Sequence, residues 1–118
     1  FVPIEDLALL YNSAEVFFQP SFHENCPQTL LESMSCGTPV VTSNVYSIPE
    51  VTGEAGILHD PTDFRGFAES IGRLLADREY RQDLQQRALE NAKRFTWEKT
   101  VRDTLAVYRT QVIGANQS

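Results

Sequence analysis

The chain has 118 residues, of which 42% are apolar and 22% charged, a composition typical of one globular domain. Its net charge of −6 argues against a nucleic-acid partner, because neutralising phosphates requires clustered Lys and Arg. The charge is unevenly distributed along the chain. Residues 1–64 carry nine acidic and no basic residues, whereas residues 65–118 carry ten basic and seven acidic residues.

The apolar runs are only a few residues long, which argues against a membrane-spanning helix, and the amino terminus lacks the pattern of a signal peptide. A cytoplasmic location is therefore expected. Phe1 stands where a complete chain would begin with Met, which suggests a piece of a longer protein. Cys26 and Cys36 lie about 15 Å apart along one predicted helix, too far for a disulfide. With no His or Cys at ligand spacing, no metal site is predicted.

Hydrophobic periodicity predicts alternating helices and strands in the first half of the chain. They are a helix over 3–12, a strand over 15–20, a helix over 27–36, a strand over 39–43, a short helix from 47 and a strand over 56–60. Gly37 is predicted to end the second helix in a left-handed conformation. Ser47 and Glu50 have the spacing of a capping box, and Gly53 is expected to close that helical turn.

The second half of the chain is predicted to be helical. Two amphipathic stripes follow Pro61, formed by Phe64, Phe67, Ala68, Ile71, Leu74 and Leu75 and by Tyr80, Leu84, Ala88 and Ala92. A last helix is expected after Thr96, with an inner face of Trp97, Val101, Leu105, Tyr108 and Val112. Residues 114–118 are predicted to be a frayed tail.

This order of elements predicts the α/β class: a partial doubly wound, Rossmann-like parallel sheet of about three strands, with flanking helices and a helical carboxyl-terminal region. A complete domain of this kind has five or six strands, so the first βαβ units are expected to lie outside this chain. Ligands of such sheets bind beyond the carboxyl ends of the strands. The loops at 21–26 and 44–47 are therefore the candidate binding loops.

Glu24 and Glu32 are the candidate functional carboxylates, one in the first binding loop and one inside the helix that follows it. A helix that begins at Pro27 places Glu32 about 8 Å along the axis, so the two are not expected to act as an acid–base dyad. They would contact different parts of one extended ligand. The alternative is that both are solvated surface residues.

The amides of Gln28, Thr29 and Leu30 are predicted to be free donors in the first turn of that helix, because Cys26 is a poor capping residue. Free donors together with the positive end of the helix dipole favour an anion or a sugar oxygen. The alternative is that water satisfies these amides.

The run at 20–41, PSFHENCPQTLLESMSCGTPVV, resembles the E-x7-E signature of the family 4 retaining glycosyltransferases, which have the GT-B fold. The likeness continues in IPEVTGEAGILHDP at 48–61 and in RFTWE at 94–98, and it covers residues 1 to about 109. It implies that residues 1–113 are the carboxyl-terminal part of a GT-B donor-binding domain.

The resemblance also implies roles for matched positions. Glu24 would be the catalytic residue that approaches the donor sugar, and Glu32 would accept hydrogen bonds from the ribose of the donor. The implied substrate-binding set is Glu24, Asn25, Cys26, Pro27, Gln28, Thr29 and Glu32. The implied donor is a nucleotide diphosphate sugar and the acceptor a glycan or lipid, bound through an amino-terminal domain outside this chain. No metal and no other cofactor are implied.

The chain departs from the family pattern in both binding loops. Many relatives have glycines after the first glutamate, where this chain has Asn25, Cys26 and Pro27. Paired glycines are also common where Tyr46 and Ser47 stand, and Tyr46 is expected either to stack on the base or to cover the sheet edge. The family's Arg and Lys side chains that hold the diphosphate come from an earlier part of the domain, so this chain alone is expected to be inactive.

Other functions remain open from the sequence. A non-catalytic nucleotide-binding or scaffold module of the same fold is the main alternative, and a phosphoacceptor receiver domain is disfavoured because no lysine precedes Lys93. His23 and His59 are interpreted as a loop residue and a strand-end residue. The basic helical face over 73–102 is interpreted as a solvated surface, with peripheral membrane contact as the alternative.

Overall fold

The computed structural model describes residues 2–115, with side chains over residues 2–110. The elements are α1 (Ile4–Ser13), β1 (Phe17–Gln19), α2 (Gln28–Ser35), β2 (Val40–Ser43), α3 (Ile48–Thr52), a 3-10 turn (Gly53–Ala55), β3 (Gly56–His59), α4 (Phe64–Ala76), α5 (Arg78–Ala92) and α6 (Trp97–Ala115). Within the described residues they form an α/β fold with one sheet of three strands. The predicted fold class is confirmed.

The sheet is parallel throughout and its strands lie in chain order, β1-β2-β3. Gln19 is paired with Thr42, and Ser43 with His59, so the carboxyl ends of all three strands reach the same edge. The β1–α2 loop and the β2–α3 loop leave from that edge side by side. We call it the carboxyl edge of the sheet.

Two hydrophobic clusters cover the two faces of β2. Val40 packs on one face with buried side chains of α2, α3 and α5, whereas Val41 packs on the other face with buried side chains of α4 and α5. A strand with both faces buried reads as a continuous apolar run, which is why β2 could be predicted without alternation. The stripe predicted for α5 is confirmed, since Leu84 and Ala88 are buried.

Helix α2 is bounded as its sequence predicts. Pro27 precedes its first residue, and Gly37 follows with φ of +74°, a left-handed conformation that L side chains rarely adopt. A Cβ at Gly37 would also lie 3.3 Å from the side chain of Leu89 on α5. Cys26 and Cys36, on either side of this helix, are both free thiols.

The stripe predicted for α4 is only partly buried. Phe67 and Leu74 are buried, but Phe64 is 72% exposed and Leu75 is 52% exposed. The apolar arc of α4 is wider than the surface that β2 and α5 offer it, so its margins remain in solvent. Phe64 and Leu75, although members of the predicted stripe, therefore do not belong to the core.

The inner face predicted for α6 is exposed. Trp97 is 76% exposed, and Val101, Leu105 and Tyr108 are also exposed, while the side chain of Val112 lies outside the described ones. Periodicity shows which face of a helix is apolar but not what covers it, and no described element packs on this face closely enough to bury it. The prediction of an inner face was therefore wrong for Trp97, Val101, Leu105 and Tyr108.

The start of α6 agrees with the sequence, because the hydroxyl of Thr96 accepts a hydrogen bond from the amide of Lys99 at 3.1 Å. The helix is described to Ala115, beyond the predicted start of the frayed tail, and residues 116–118 lie outside the described residues. Among the helices that the structure describes, none combines the length and apolar character needed to cross a bilayer.

Candidate functional site

Glu24 lies half-buried in the β1–α2 loop, and both of its carboxylate oxygens are hydrogen-bonded. The side-chain amide of Gln19 donates to Oε2 at 3.1 Å, and the backbone amide of Asn25 donates to Oε1 at 3.1 Å. Two donors on two oxygens fix the plane of the carboxylate. Each oxygen keeps a further lone pair with which it can accept a hydrogen bond from a ligand.

Gln19 is the residue that positions Glu24, and sequence reasoning missed it. It is the last residue of β1, and besides Glu24 its Nε2 donates to Ser21 Oγ at 3.1 Å while its Oε1 accepts from Thr29 Oγ1 at 2.7 Å. The Gln19 carbonyl also accepts from Thr42 Oγ1 at 2.8 Å. One side chain therefore joins strand, loop and helix. The available signal was its place at a strand end directly before Pro20.

The start of α2 offers fewer free donors than the sequence predicts. The amide of Gln28 donates to the Cys26 carbonyl at 2.9 Å, and that of Leu30 donates to the Pro27 carbonyl at 3.1 Å. Of the three amides predicted to be free, only that of Thr29 has no partner among the described residues. The tight turn at Pro27 satisfies the others within the backbone, so the prediction was wrong for Gln28 and Leu30.

The other residues of the predicted binding set lie around this turn. Asn25, Cys26, Gln28 and Thr29 are exposed at the carboxyl edge, whereas Pro27 is buried and has no amide hydrogen to donate. Pro27 therefore shapes the turn, and the exposed residues on either side of it remain available to a ligand.

Glu32 is exposed on α2 and receives a hydrogen bond from α1. The hydroxyl of Tyr11 donates to Glu32 Oε2 at 2.9 Å, and the backbone carbonyl of Tyr11 accepts from Thr38 Oγ1 at 2.7 Å. Burial, and secondly the hydrogen bond to Glu32, raise the pKa of Tyr11 to about 12. No sequence signal indicated this polar partner of Tyr11.

An open, largely apolar cleft of about 870 Å³ lies between α1, α2 and the start of α6. Glu32, Tyr11, Cys26 and Gln28 line it, together with Trp97. Glu24 is not among its lining residues, and the lining includes no Lys or Arg. The structure thus separates the two glutamates: Glu32 faces the cleft, and Glu24 lies at the carboxyl edge of the sheet.

Ser47 does not form the predicted capping box. Its side chain caps no amide of α3, and its hydroxyl instead donates to the backbone carbonyl of Glu24 at 3.3 Å. Ser47 has helical backbone angles, which turn the hydroxyl toward the neighbouring loop. The prediction of a cap was wrong, and the serine instead joins the β1–α2 loop to the β2–α3 loop.

The remaining titratable groups include His59 and Asp63. Within the described residues, no group of three or more His, Cys, Asp or Glu side chains is placed to hold a metal ion. His59 lies at the end of β3, where Nε2 is 2.7 Å from Ser70 Oγ and Nδ1 is 3.4 Å from the Asp63 carboxylate on the way into α4.

The fold and the motif together identify the family. A family model described as "Glycosyl transferases group 1" matches residues 1–91. The chain belongs to the group 1 glycosyl transferases. The resemblance predicted from the E-x7-E run is thereby confirmed.

Relatives of this group 1 chain include the O-antigen chain mannosyltransferase B of Escherichia coli, which is 44% identical over 92% of the chain, and a D-inositol 3-phosphate glycosyltransferase of Salinispora tropica, 38% identical over 88%. Among solved structures, sucrose-phosphate synthase from Thermosynechococcus elongatus superposes on 97% of the chain with a TM-score of 0.84 and 32% identity. The matched segments make up 29%, 22% and 29% of those proteins. The chain therefore spans less than a third of their length.

Proposed function

We propose that this chain is the donor-binding part of a longer glycosyltransferase, here called the parent protein. The parent would transfer a hexose from a nucleotide diphosphate sugar to a glycan or lipid acceptor with retention of anomeric configuration. The bond between the anomeric carbon and the diphosphate oxygen breaks, and a bond to the acceptor hydroxyl oxygen forms. The acceptor proton leaves with the nucleotide diphosphate. The observation that carries this proposal is the fixed Glu24 carboxylate in a group 1 chain.

Glu24 would be the catalytic residue and would bind the donor sugar. Its carboxylate is held in place by Gln19 and Asn25 before any ligand arrives, so little ordering is required on binding. The free lone pairs would accept hydrogen bonds from sugar hydroxyls. A carboxylate beside the anomeric carbon would also stabilise the positive charge that develops there as the bond to the leaving group breaks.

The turn between Glu24 and α2 would hold the sugar and the diphosphate. The amide of Thr29 is the remaining first-turn donor, and it points with the positive end of the α2 dipole. The exposed Asn25, Cys26 and Gln28 flank it, and Pro27 keeps the turn in shape. This region would stabilise the leaving diphosphate by preorganised dipoles.

Glu32 and the cleft beside it would hold the nucleoside. Tyr11 occupies Oε2 of Glu32, which leaves Oε1 for the hydroxyls of a ribose. The apolar cleft between α1, α2 and α6 has the volume for a base next to that ribose. The two glutamates then contact the two ends of one donor, which agrees with their separate positions in the fold.

The diphosphate carries negative charge, but residues 1–64 contain no base to neutralise it. We infer that basic residues of the parent protein complete the site, that the transfer uses no metal, and that the isolated chain is inactive. The names of the E. coli relatives indicate mannose as the first hexose to test. Cytoplasmic location and membrane contact of the parent remain predictions.

The test is turnover by the parent protein with Glu24→Gln, measured over a panel of nucleotide diphosphate sugars. We expect kcat to fall roughly 10²-fold or more, because the variant loses charge at the reacting carbon while keeping its shape. Glu54→Gln, an exposed glutamate on the 3-10 turn, is the matched control. Unimpaired transfer by Glu24→Gln would refute the assignment, and no transfer by the unmodified parent would favour the scaffold alternative.

Glu32→Gln tests the nucleoside role separately. We expect the KM for the donor to rise with kcat nearly unchanged, because the ribose contact is the same in the ground state and the transition state. An unchanged KM would contradict the proposed contact between Glu32 and the ribose.

A further inference from the structure

The β2–α3 loop presents an aromatic side chain in an unusual backbone conformation. Tyr46 has φ of +51°, the one positive φ at a non-glycine position among the described residues, and its side chain is 67% exposed. A β-carbon makes this left-handed region unfavourable, and exposing a large ring forgoes burial. Neither feature stabilises the fold, and backbone strain of this kind concentrates at functional positions.

The ring of Tyr46 packs on a residue of the other binding loop. Its centroid is 4.4 Å from that of His23, and the planes are tilted by 60°. His23 directly precedes Glu24, and Ser47, next to Tyr46, donates to the Glu24 carbonyl. The contact between Ser47 and Glu24 joins the two loops, and each ring belongs to the residue directly before one of these two. We call this pair the aromatic platform.

We propose that the aromatic platform of Tyr46 and His23 binds the C–H face of a pyranose ring whose hydroxyls are hydrogen-bonded by Glu24. This inference rests on the proposed function. A pyranose has apolar C–H faces and a polar rim, so it is recognised by an aromatic surface beside a hydrogen-bonding group. Here the carboxylate is fixed by Gln19 and Asn25. One ring belongs to His23, the residue directly before Glu24, and the other packs on it from the loop that Ser47 joins to the Glu24 carbonyl.

A pyranose is favoured over a nucleotide base as the occupant. The platform includes His23, which directly precedes Glu24, and its loop is joined to the Glu24 carbonyl by Ser47. The cleft proposed for the nucleoside is lined by Glu32 and includes neither Tyr46 nor His23. The pyranose could belong to the donor or to the acceptor, since both present the same C–H faces. The experiment distinguishes these two sources.

The test compares Tyr46→Gly, Tyr46→Phe and Phe64→Ala in the parent protein. Glycine removes the ring and adopts the left-handed conformation without strain, so we expect the KM for one sugar substrate to rise about threefold to tenfold. The melting temperature should stay equal or rise. Tyr46→Phe keeps the ring, so its KM values should stay within about twofold of those of the unmodified parent protein. Phe64→Ala removes a similarly exposed aromatic ring on α4. It should change neither the KM values nor the melting temperature.

A rise in donor KM would assign the platform to the donor sugar, and a rise in acceptor KM to the acceptor. Affinity for the nucleoside diphosphate alone, measured by calorimetry, should not change. A loss of that affinity on Tyr46→Gly would overturn the proposal in favour of base stacking. A lower melting temperature with both KM values unchanged would overturn it in favour of a structural role.

The same experiment separates this inference from the proposed function. If Glu24→Gln abolishes turnover while Tyr46→Gly leaves both KM values and the melting temperature unchanged, the platform is refuted and the catalytic assignment stands. If Glu24→Gln transfers normally, the proposed function fails, whatever the Tyr46 variants do.

Discussion

The carboxyl edge of the sheet and helix α6 differ in how many contacts their side chains make within this chain. At the carboxyl edge, Glu24, Ser47 and Thr29 each have a hydrogen-bond partner in a neighbouring element. Helix α6 exposes the apolar side chains of Trp97 and Leu105, although its sequence is as amphipathic as that of a packed helix. The side chains of the first region are held by contacts within this chain. The second region forms a regular helix, but its apolar face is not buried by the described residues.

The charge distribution follows the same division. The carboxyl edge lies in the half of the chain with nine acids and no base, and α6 lies in the half that carries all ten bases. Under the proposed function, basic residues of the parent protein complete the first region. The comparison predicts that identical substitutions will have unequal effects in the two regions.

The largest difference is expected between two leucines. Leu30 on α2 is fully buried, so Leu30→Ala should lower the free energy of unfolding by about 2–5 kcal/mol. Leu105 on α6 is 44% exposed, and Leu105→Ala should change it by less than about 0.5 kcal/mol in this chain. Urea unfolding followed by circular dichroism measures both. Equal costs would show that α6 is packed in solution, which would contradict the described structure.

The next effect sharpens the account of the carboxyl edge. Gln19→Leu removes the amide that orients Glu24 and bonds Thr29, so we expect kcat of the parent protein to fall roughly tenfold, equivalent to about 1.4 kcal/mol. The donor KM should change less. Gln86→Leu, at an exposed position on α5, is the control. A Gln19→Leu enzyme with normal kcat would show that Glu24 does not need this positioning.

The smallest effect at neutral pH is expected at the contact between α1 and α2. Tyr11→Phe removes one hydrogen bond to Glu32, so it should lower the free energy of unfolding by about 1 kcal/mol at pH 7. Tyr108→Phe, on the exposed face of α6, is the control for loss of a tyrosine hydroxyl and should cost nothing measurable.

The pH dependence of this contact has a definite sign. Tyr11 has a pKa of about 12 in the folded chain, against about 10 when unfolded, so the unfolded state releases its proton first as the pH rises. The contribution of Tyr11 to stability is full below about pH 10 and is lost as the pH rises toward about 12. Between about pH 10 and about pH 12, the free energy of unfolding of the wild type should therefore fall relative to that of Tyr11→Phe. A difference that is independent of pH would contradict the raised pKa.

Much of the fold could be predicted because its signals are local. Pro27 and Gly37 bound α2 through fixed or permissive backbone angles, and the apolar run at 39–43 indicates a strand buried on both faces. Glu24 and Glu32 could be named as candidate site residues because their spacing and flanking residues match a family pattern. These features depend on a few consecutive residues, which a sequence presents directly.

The contacts of the site could not be predicted in the same way. Gln19 and Tyr11 are ordinary residues of a strand and a helix, and their roles arise from partners 5, 10 and 21 positions away in the chain. Ser47 had the spacing of a cap, but a carbonyl in the other loop accepts its hydroxyl instead. Hydrogen-bond choice among competing acceptors is decided by distances that exist only after the sheet has formed.

By itself, the sequence determined the class of fold and the family, and it indicated the two candidate glutamates, because backbone preference, hydrophobic period and motif are properties of short segments. Only the tertiary structure decided that Glu24 and Glu32 face different places, that Tyr46 is held against His23, and that the apolar face of α6 remains uncovered. Parallel pairing aligns the ends of strands that are distant in sequence, and packing buries a face only where another surface is present.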